Sequence, residues 1–274
     1  MKQQVILLTG GSSGIGYASA LRLAGQGHIV YAAARRVEAM MPLSEAGVHV
    51  LAMDVTDEAS IEAGVNTVLR EQGRIDVLIN NAGYGYFGAI ENVTMAEARR
   101  QLEVNLFGLA RLTQLVLPTM RQQQHGRIIN TSSIAGRLCL AYGGWYHVSK
   151  YAVEAFSDAL RIEAKPFGID VVLIEPGAIA TNWGIIAADH LAESSRGTVY
   201  EESALREANL TRSMYTSRLL SRPEVVMRAI SRAVNARRPC VRYNPGRGAS
   251  LMLMMHALLP ARWWDALNRL AVGI

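Results

Sequence analysis

The chain has 274 residues, half of them hydrophobic, so it can bury a sizeable core, and we expect a single domain over residues 1–274. Its 28 basic and 23 acidic residues give a net charge of +5 without a clustered basic stripe, which argues against a nucleic-acid-binding surface. The two cysteines, Cys139 and Cys240, stand far apart and lack metal-ligand spacing. The sequence therefore predicts free thiols, no metal site and a reducing compartment.

The first apolar run, Val5–Leu8, is too short for a signal peptide or a membrane span, and we expect a cytoplasmic location. Further β-prone apolar runs follow at Ile29–Ala33, Val48–Met53, Val77–Ile79, Arg127–Asn130 and Asp170–Ile174. Stretches with helical spacing lie between them, at Gly14–Ala24, Ala59–Arg70, Ala96–Met120 and Trp145–Leu160. Continuous apolar strands that alternate with helices predict an α/β fold, a doubly wound parallel sheet with helices on both faces.

A glycine-rich turn follows the first predicted strand and opens the first predicted helix, with Gly10, Ser12, Ser13, Gly14, Ile15 and Gly16 as candidate binding residues. Backbone N–H groups and the helix dipole at such a turn can hold the pyrophosphate of a dinucleotide. The spacing of the three glycines differs from G-x-G-x-x-G, so a merely structural turn remains an alternative.

The end of the second predicted strand indicates which dinucleotide fits. An acidic side chain there binds a ribose 2′-hydroxyl, whereas arginine accommodates a 2′-phosphate. This strand ends in Arg35 and Arg36, with no acid at the turn. The sequence therefore favours NADP(H) over NAD(H), although two solvated surface arginines would give the same pattern.

Tyr146 and Lys150 are four residues apart in a predicted helix, so their side chains share one face. An ammonium near a phenol is expected to lower the tyrosine pKa and to make it a usable general acid or base. Ser133 follows the strand Arg127–Asn130, at the sheet edge where ligands of α/β proteins bind. A Tyr/Lys pair at this spacing is also common on helix surfaces.

After Thr181 the chain becomes polar and helix-prone, and residues 182–220 are interpreted as a helical lid over the site. The last stretch, about residues 250–270, is amphipathic and rich in methionine and tryptophan, with Pro260 inside it. It is expected to pack on the core or on a partner subunit, and contact with a membrane surface remains an alternative.

These motifs occur together and in order: the glycine turn, Asn80-Asn81-Ala82-Gly83, the run Val104–Gly108, then Ser133, Tyr146, Lys150 and finally Pro176-Gly177. In this order they resemble the short-chain dehydrogenase/reductase family over about residues 4–245. The resemblance implies a Rossmann-type fold and an oxidoreductase that interconverts a carbonyl and an alcohol. The stretches Gly83–Glu91 and Arg242–Arg247 resemble its hydroxysteroid and retinol dehydrogenase-like branch.

The resemblance also implies roles for individual residues. Tyr146 would be the general acid or base, Ser133 would hydrogen-bond the reacting oxygen, and Lys150 would bind the nicotinamide ribose and lower the tyrosine pKa. Asn105 would support a water-linked proton relay to Lys150. The remaining cofactor contacts would come from Asp54 at the adenine, Asn81 at the adenosine ribose, Thr181 at the carboxamide, and Val55, Ala82, Gly83, Pro176, Gly177 and Ile179.

Each of these polar residues also has an ordinary structural interpretation. Asn105 could cap or kink its helix, Asn81 could serve the turn, and Asp54 could be an N-terminal helix cap.

Apolar and aromatic residues around the predicted site suit a lipophilic substrate, a steroid-, retinoid- or fatty-ketone-like carbonyl or alcohol. They lie at Tyr84, Tyr86, Phe87, Leu138–Tyr142 and Trp183–Ile186. The resemblance implies a homodimer or homotetramer that pairs through helices at about 96–120 and 145–165. The alternatives are an NAD(H)-preferring dehydrogenase, a cofactor-binding regulatory protein or scaffold, and an epimerase or dehydratase on the same fold.

Overall fold

The computed structural model describes residues 3–217 and 220–273, and within them the chain forms one parallel seven-stranded sheet. The strands are β1 (Val5–Thr9), β2 (Ile29–Ala34), β3 (His49–Ala52), β4 (Val77–Asn80), β5 (Gly126–Thr131), β6 (Ile169–Ile174) and β7 (Arg242–Tyr243). Their order across the sheet is β3-β2-β1-β4-β5-β6-β7. This confirms the predicted doubly wound, Rossmann-type fold.

Helices cover both faces of the sheet. They are α1 (Gly14–Ala24), α2 (Met41–Glu45), α3 (Glu58–Gln72), α4 (Met95–Leu102), α5 (Gly108–Gln123), α6 (Gly144–Ala164), α7 (Asn182–Ser194), α8 (Glu201–Thr216), α9 (Pro223–Asn235), α10 (Ala249–Leu258) and α11 (Ala261–Val272). One face of the sheet packs on α1, α2 and α9, and the other on α3, α5 and α6. Residues 5–8 of β1, 77–79 of β4 and 171–174 of β6 are uninterrupted apolar runs, because successive side chains enter opposite cores.

The predicted helical stretch 96–120 is divided in two. A π-helical turn, Glu103–Phe107, separates α4 from α5 and contains Asn105. At the start of α5, Gly108 packs so closely on the carbonyl oxygen of Val55 that a methyl group there would lie 2.2 Å from it. Apolar periodicity continues through such a turn, so the sequence pattern did not reveal it.

The chain after Thr181 is helical, as predicted. Helices α7 and α8 occupy the predicted lid segment 182–220, in which Arg218 and Leu219 lie outside the described residues. Helix α9 and strand β7 were not anticipated from the sequence, and β7 has only two residues. The amphipathic stretch 250–270 forms α10 and α11, which Pro260 separates by capping the start of α11.

Arg127 on β5 ties α9 to the sheet. Its guanidinium donates to the last carbonyl groups of this helix, at Ala233 (2.6 Å) and Val234 (2.7 Å), and pairs with Asp170 on β6 (3.0 Å). A cation at a helix C-terminus satisfies carbonyl groups that have no partner within the helix and interacts favourably with its dipole.

We expect Arg127→Met to lower the free energy of unfolding by about 2–4 kcal/mol, because it leaves helix carbonyls and a carboxylate without their partner. Urea unfolding measures this change. The matched control is Arg70→Met, which removes an exposed arginine from α3 and should change stability by less than about 0.5 kcal/mol. Equal effects of the two substitutions would contradict the role of Arg127.

Candidate active site

The predicted site residues converge at the carboxyl ends of β1, β4, β5 and β6. Strands β1 and β4 are neighbours in the sheet, although β2 and β3 lie between them in sequence. The order of connections therefore reverses there, which opens a crevice of the kind that binds ligands in α/β sheets.

The glycine turn forms a cradle at the start of α1. Gly14 has a positive φ of 56°, and a methyl group at Gly16 would lie 2.1 Å from the carbonyl oxygen of Gly10. The first turn of α1 carries no acidic residue, and the Ser13 hydroxyl makes no capping bond within the described chain. Its N–H groups therefore remain available, and the cradle fits a phosphate-bearing ligand. Across it, the Thr181 methyl group lies 3.8 Å from the position of a Gly14 side chain.

Both candidate 2′-phosphate ligands lie beside this cradle and are exposed to solvent. Arg36 donates to the Ser12 hydroxyl (3.4 Å), which places its guanidinium over the loop. Arg35 is close enough to Asp54 for its charge to lower the pKa of that carboxyl. The Arg36 guanidinium therefore borders the phosphate cradle, while that of Arg35 lies toward Asp54.

Asp54 lies just after β3 and accepts hydrogen bonds from the backbone N–H and the hydroxyl of Thr56 (2.9 and 2.8 Å). Burial raises its pKa, but these hydrogen bonds and the nearby arginines outweigh burial and keep the pKa below its usual value. Its interpretation as a helix cap is wrong, since Asp57 caps α3. The next residue, Val55, packs on the start of α5.

Asn81 fastens the end of β4 to the end of β1. Its side chain donates to the Thr9 carbonyl (3.1 Å), while the backbone N–H groups of Asn81 and Ala82 donate to the Thr9 hydroxyl (3.1 Å each). This contact bears out the turn interpretation of Asn81, and it aims the following Gly83 toward Asn105 and Lys150.

The loop after β6 supplies the other predicted cofactor contacts. The Pro176 carbonyl accepts the Ser133 hydroxyl (3.3 Å), and Gly177 donates to Pro245 (3.0 Å). The Ile179 side chain is buried in the core under α1 and α9. Thr181 caps the start of α7.

Tyr146, Ser133 and Lys150 meet as predicted. Tyr146 and Lys150 are buried on one face of α6, and the Ser133 hydroxyl lies close enough to the Tyr146 hydroxyl to lower its pKa. The Lys150 ammonium donates to the Thr131 carbonyl at the end of β5 (2.9 Å) and lies 5.9 Å from the centre of the Tyr146 ring. A proton-transfer group, a second hydroxyl and a cation thus share one pocket.

The predicted effect of Lys150 on Tyr146 is wrong for the chain as it stands. Burial raises the pKa of Tyr146 well above its usual value, and the Ser133 hydrogen bond offsets only part of that rise. Burial also lowers the pKa of Lys150 to about 8. Removal from water dominates both groups, and the ammonium lies near the ring, hydrogen-bonded to Thr131 rather than to the phenol oxygen.

The Asn105 side chain fixes the backbone of the loop after β4. It accepts from the Tyr84 N–H (3.0 Å) and donates to the Tyr84 carbonyl (2.9 Å) and to Ser149 on α6 (2.9 Å). These bonds occupy the side-chain amide, and the relay to Lys150 that the resemblance implies stays a prediction. The structure assigns Asn105 a positioning role that joins the π-helical turn, the loop after β4 and the helix of Tyr146.

An aromatic enclosure surrounds Tyr146. The rings of Trp183 and Phe87 lie with their centres 5.0 and 5.7 Å from the Tyr146 ring. Tyr215 of α8 approaches closely enough to contribute to the raised pKa of Tyr146, and burial raises its own pKa to about 12. The sequence indicated Phe87 and Trp183 as lining residues, but the position of Tyr215 required the fold of α8.

Sequence reasoning missed His147 completely. Its Nδ1 contacts the Ala135 carbonyl (2.9 Å) and its Nε2 accepts from the Leu140 N–H (3.0 Å), so the ring orders the loop after Ser133. Burial lowers the pKa of His147, which keeps the ring neutral, as an acceptor nitrogen requires.

A buried ion cluster under the site was also missed. Arg242 of β7 lies 2.8 Å from Glu175, 3.2 Å from Glu154 and 2.7 Å from Asp158. Burial raises the pKa of Glu154 above its usual range, and Arg242 counteracts that rise. Glu175 precedes Pro176 and Glu154 follows Lys150 by one helical turn, so this cluster supports both walls of the site.

Comparison with known proteins agrees with this geometry. The family model described as short chain dehydrogenase matches residues 4–189. The chain is 37% identical to a probable short-chain type dehydrogenase/reductase, VdlC, of Helicobacter pylori, with 97% of each chain covered. It is 42% identical to a 3-ketodihydrosphingosine reductase of Bacteroides thetaiotaomicron, over 77% of this chain and 76% of that one. A solved short-chain dehydrogenase from Streptomyces avermitilis superposes with a TM-score of 0.80 at 35% identity, covering 94% of this chain and 93% of its own.

We expect Lys150→Met to raise the free energy of unfolding near pH 7 by about 1–3 kcal/mol, because it removes a buried ammonium whose charging is unfavourable. The folded state holds the proton of the Lys150 ammonium less tightly than the unfolded state, since burial lowers the pKa of Lys150 from 10.5 to about 8. Wild-type stability should therefore rise as pH increases from 8 toward 10.5, and the advantage of the variant should shrink over that window.

Urea unfolding near pH 7 and again near pH 9.5 measures this difference. The matched control, Lys165→Met, removes an exposed lysine and should leave stability almost unchanged at both pH values. A loss of stability in Lys150→Met near pH 7 would show that the ammonium stabilises the fold.

Proposed function

This chain belongs to the short-chain dehydrogenase family, and on that basis we propose that it is an NADP(H)-dependent oxidoreductase that interconverts a lipophilic carbonyl compound and its alcohol. The observation that carries the proposal is the juxtaposition of the Ser133 hydroxyl and the buried Tyr146 hydroxyl, with Lys150 on the same face of α6 and the phosphate cradle at the same edge of the sheet. A complete set of proton-transfer groups at this crevice argues for an enzyme rather than a regulatory protein or scaffold.

The nicotinamide, when bound, supplies the hydride for reduction or accepts it in oxidation. During reduction, Tyr146 gives its hydroxyl proton to the substrate oxygen as the carbonyl carbon gains the hydride, and the C=O double bond becomes an alcohol C–O bond. Ser133 holds that oxygen. Lys150 keeps a positive charge beside the phenolate that remains, and the same steps in reverse oxidise an alcohol.

The raised pKa of Tyr146 keeps its phenol protonated, which is the form from which reduction begins. Arg36 supports NADP(H), because its guanidinium borders the phosphate cradle, and Arg35 beside it in sequence offers a second cation that can pair with a 2′-phosphate.

The aromatic enclosure supports a lipophilic substrate. The rings of Phe87 and Trp183 pack beside the Tyr146 ring and Tyr215 lies near it, so we expect a bound carbonyl carbon to lie among rings rather than among charged groups. One of the relatives is named a reductase of 3-ketodihydrosphingosine, a long-chain ketone. We extend that substrate class, a ketone on a long apolar chain, to this protein.

We further propose that the enzyme is a cytoplasmic homodimer or homotetramer that pairs through about residues 96–120, which include α4, the π-helical turn and most of α5, and through α6. Exposed apolar side chains on these segments support this pairing, namely Phe107, Val148, Tyr151 and Ile162.

We expect Tyr146→Phe to lower the rate of reduction of a lipophilic ketone about 10²–10⁴-fold, because the variant has no proton to give. Consumption of NADPH, followed by its absorbance, measures the rate. Affinity for NADPH should not change, which shows that the site still folds. The matched control is Tyr215→Phe, the same change on a neighbouring buried phenol, and its effect should be less than about tenfold. Comparable losses in both variants would contradict the assignment.

We expect replacement of both Arg35 and Arg36 by alanine to weaken NADPH binding about 100-fold and NADH binding less than about threefold, because only NADPH carries the 2′-phosphate. Titration with each dinucleotide, followed by protein-to-nicotinamide energy transfer, measures both affinities. The control replaces Arg237 and Arg238, an adjacent exposed pair after α9, and should bind both dinucleotides as the wild type does. Equal weakening of NADPH and NADH would disprove the NADP(H) preference.

A further inference from the structure

Helix α10 presents its most apolar stripe to solvent. Only Ala249 and Leu253 of this helix are buried. The outward stripe has the i, i+3, i+4, i+7 spacing by which a helix normally contacts a core, and it consists of Leu251, Met254, Met255 and Leu258. Exposure of such an apolar stripe to water is unfavourable. It therefore indicates that another molecule or surface covers these side chains.

Helix α11 also presents an apolar stripe to solvent. Trp264 and Asn268 face inward with Val272, and the Trp264 indole donates to the Cys139 carbonyl (3.0 Å). The exposed stripe is Trp263, Leu267 and Leu270, again at i, i+4, i+7. Contact between His256 and Trp264, with ring centres 4.9 Å apart, joins the two helices. We call α10 and α11 with their outward stripes the tail surface.

Arginines border the tail surface. Arg262 and Arg269 are seven residues apart and flank the Trp263 stripe, and Arg247 lies just before α10. In the part of the chain that the structure describes, none of these three exposed guanidiniums pairs with a carboxylate. The sequence has no Asp or Glu between Glu224 and Asp265, while it has arginine at 228, 232, 237, 238, 242, 247 and 262.

We propose that the tail surface docks this protein on an anionic lipid bilayer. Exposed tryptophan, leucine and methionine can enter the boundary between headgroups and acyl chains, while the flanking arginines attract anionic headgroups. A second copy of the chain is a poorer partner, because it brings a second set of these arginines, of the same charge, to the contact. No helix within residues 3–217 and 220–273 is long and apolar enough to cross a membrane.

The tail surface is continuous with the active site. Ala249 packs on Gly177, in the loop whose Pro176 carbonyl accepts the Ser133 hydroxyl. Trp264 holds the Cys139 carbonyl on the loop that follows Ser133. Docking therefore brings the loops on both sides of Ser133 to the bilayer. For the lipophilic substrate proposed above, this would shorten the path from the membrane to Tyr146.

Co-sedimentation with lipid vesicles tests the proposal, using phosphatidylcholine with phosphatidylglycerol and phosphatidylcholine alone. We expect the wild type to bind the anionic vesicles and to bind them less tightly as salt increases. Replacing Leu251 and Met254 by glutamate should lower the partition coefficient at least about tenfold, because it removes apolar contact and adds repulsion. Replacing Arg262 and Arg269 by alanine should lower binding to the anionic vesicles alone.

The matched control replaces Leu21 and Met41 by glutamate. It changes one exposed leucine and one exposed methionine, on α1 and α2, and adds the same charge. Met41 and Met254 are both 54% exposed. Helix α2 contacts β3, at the opposite edge of the sheet from β7, which precedes the tail. The control should bind vesicles as the wild type does, and unchanged urea unfolding midpoints would show that both double variants fold.

Three results would overturn the proposal: no binding of the wild type to anionic vesicles, an equal loss in the control, or equal binding to both vesicle types. A different result would identify the tail surface as an interface between copies of the chain. In that case the wild type is a dimer in light scattering and does not bind vesicles, while the variant of Leu251 and Met254 is a monomer. Vesicle binding is measured without cofactor or substrate, so failure of the proposed oxidoreductase activity would leave this result unaffected.

Discussion

The burial of a phenol and an ammonium on one face of α6 is the constraint on which the rest of the site depends. Tyr146 and Lys150 are nearly removed from water, so each favours its neutral form: the pKa of the phenol rises and that of the ammonium falls to about 8. The Thr131 carbonyl, at the end of β5, and the Ser133 hydroxyl, two residues later, partly compensate. The site therefore keeps the proton on the Tyr146 phenol, and it keeps the buried Lys150 ammonium at the expense of fold stability.

Two such groups remain in place because a polar network fixes the backbone around them. Asn105 joins the π-helical turn to the Tyr84 backbone and to Ser149, and His147 orders the loop after Ser133. Below them, Arg242 balances the buried carboxylates of Glu154 and Glu175. Buried polar groups are stable only when their partners are satisfied, so these residues fix the geometry of the site without themselves contacting a reacting atom.

The apolar side of the site is formed by the last third of the chain. Helices α7 and α8 supply Trp183 and Tyr215, and a hydrogen bond between Tyr142 and Ser203 joins α8 to the loop before α6 (2.5 Å). Helix α11 continues this layer through Trp264, and Val272 packs with Ala204 and Ala208 of α8. One apolar layer thus encloses the reactive hydroxyl and extends outward to the surface formed by α10 and α11.

The sequence by itself determined the order of strands and helices, the glycine turn, and the shared face of Tyr146 and Lys150, because all of these depend on local periodicity or on a spacing of a few residues. It also placed Ser133 at a strand end. Only the tertiary structure decided that burial outweighs the effect of Lys150 on Tyr146, that Asn105 holds backbone, and that Arg242, distant in sequence, balances Glu154 and Glu175. It also decided that the stripes of α10 and α11 face solvent. A pattern shows that a helix has an apolar face, but which side becomes buried depends on contacts between segments far apart in the chain.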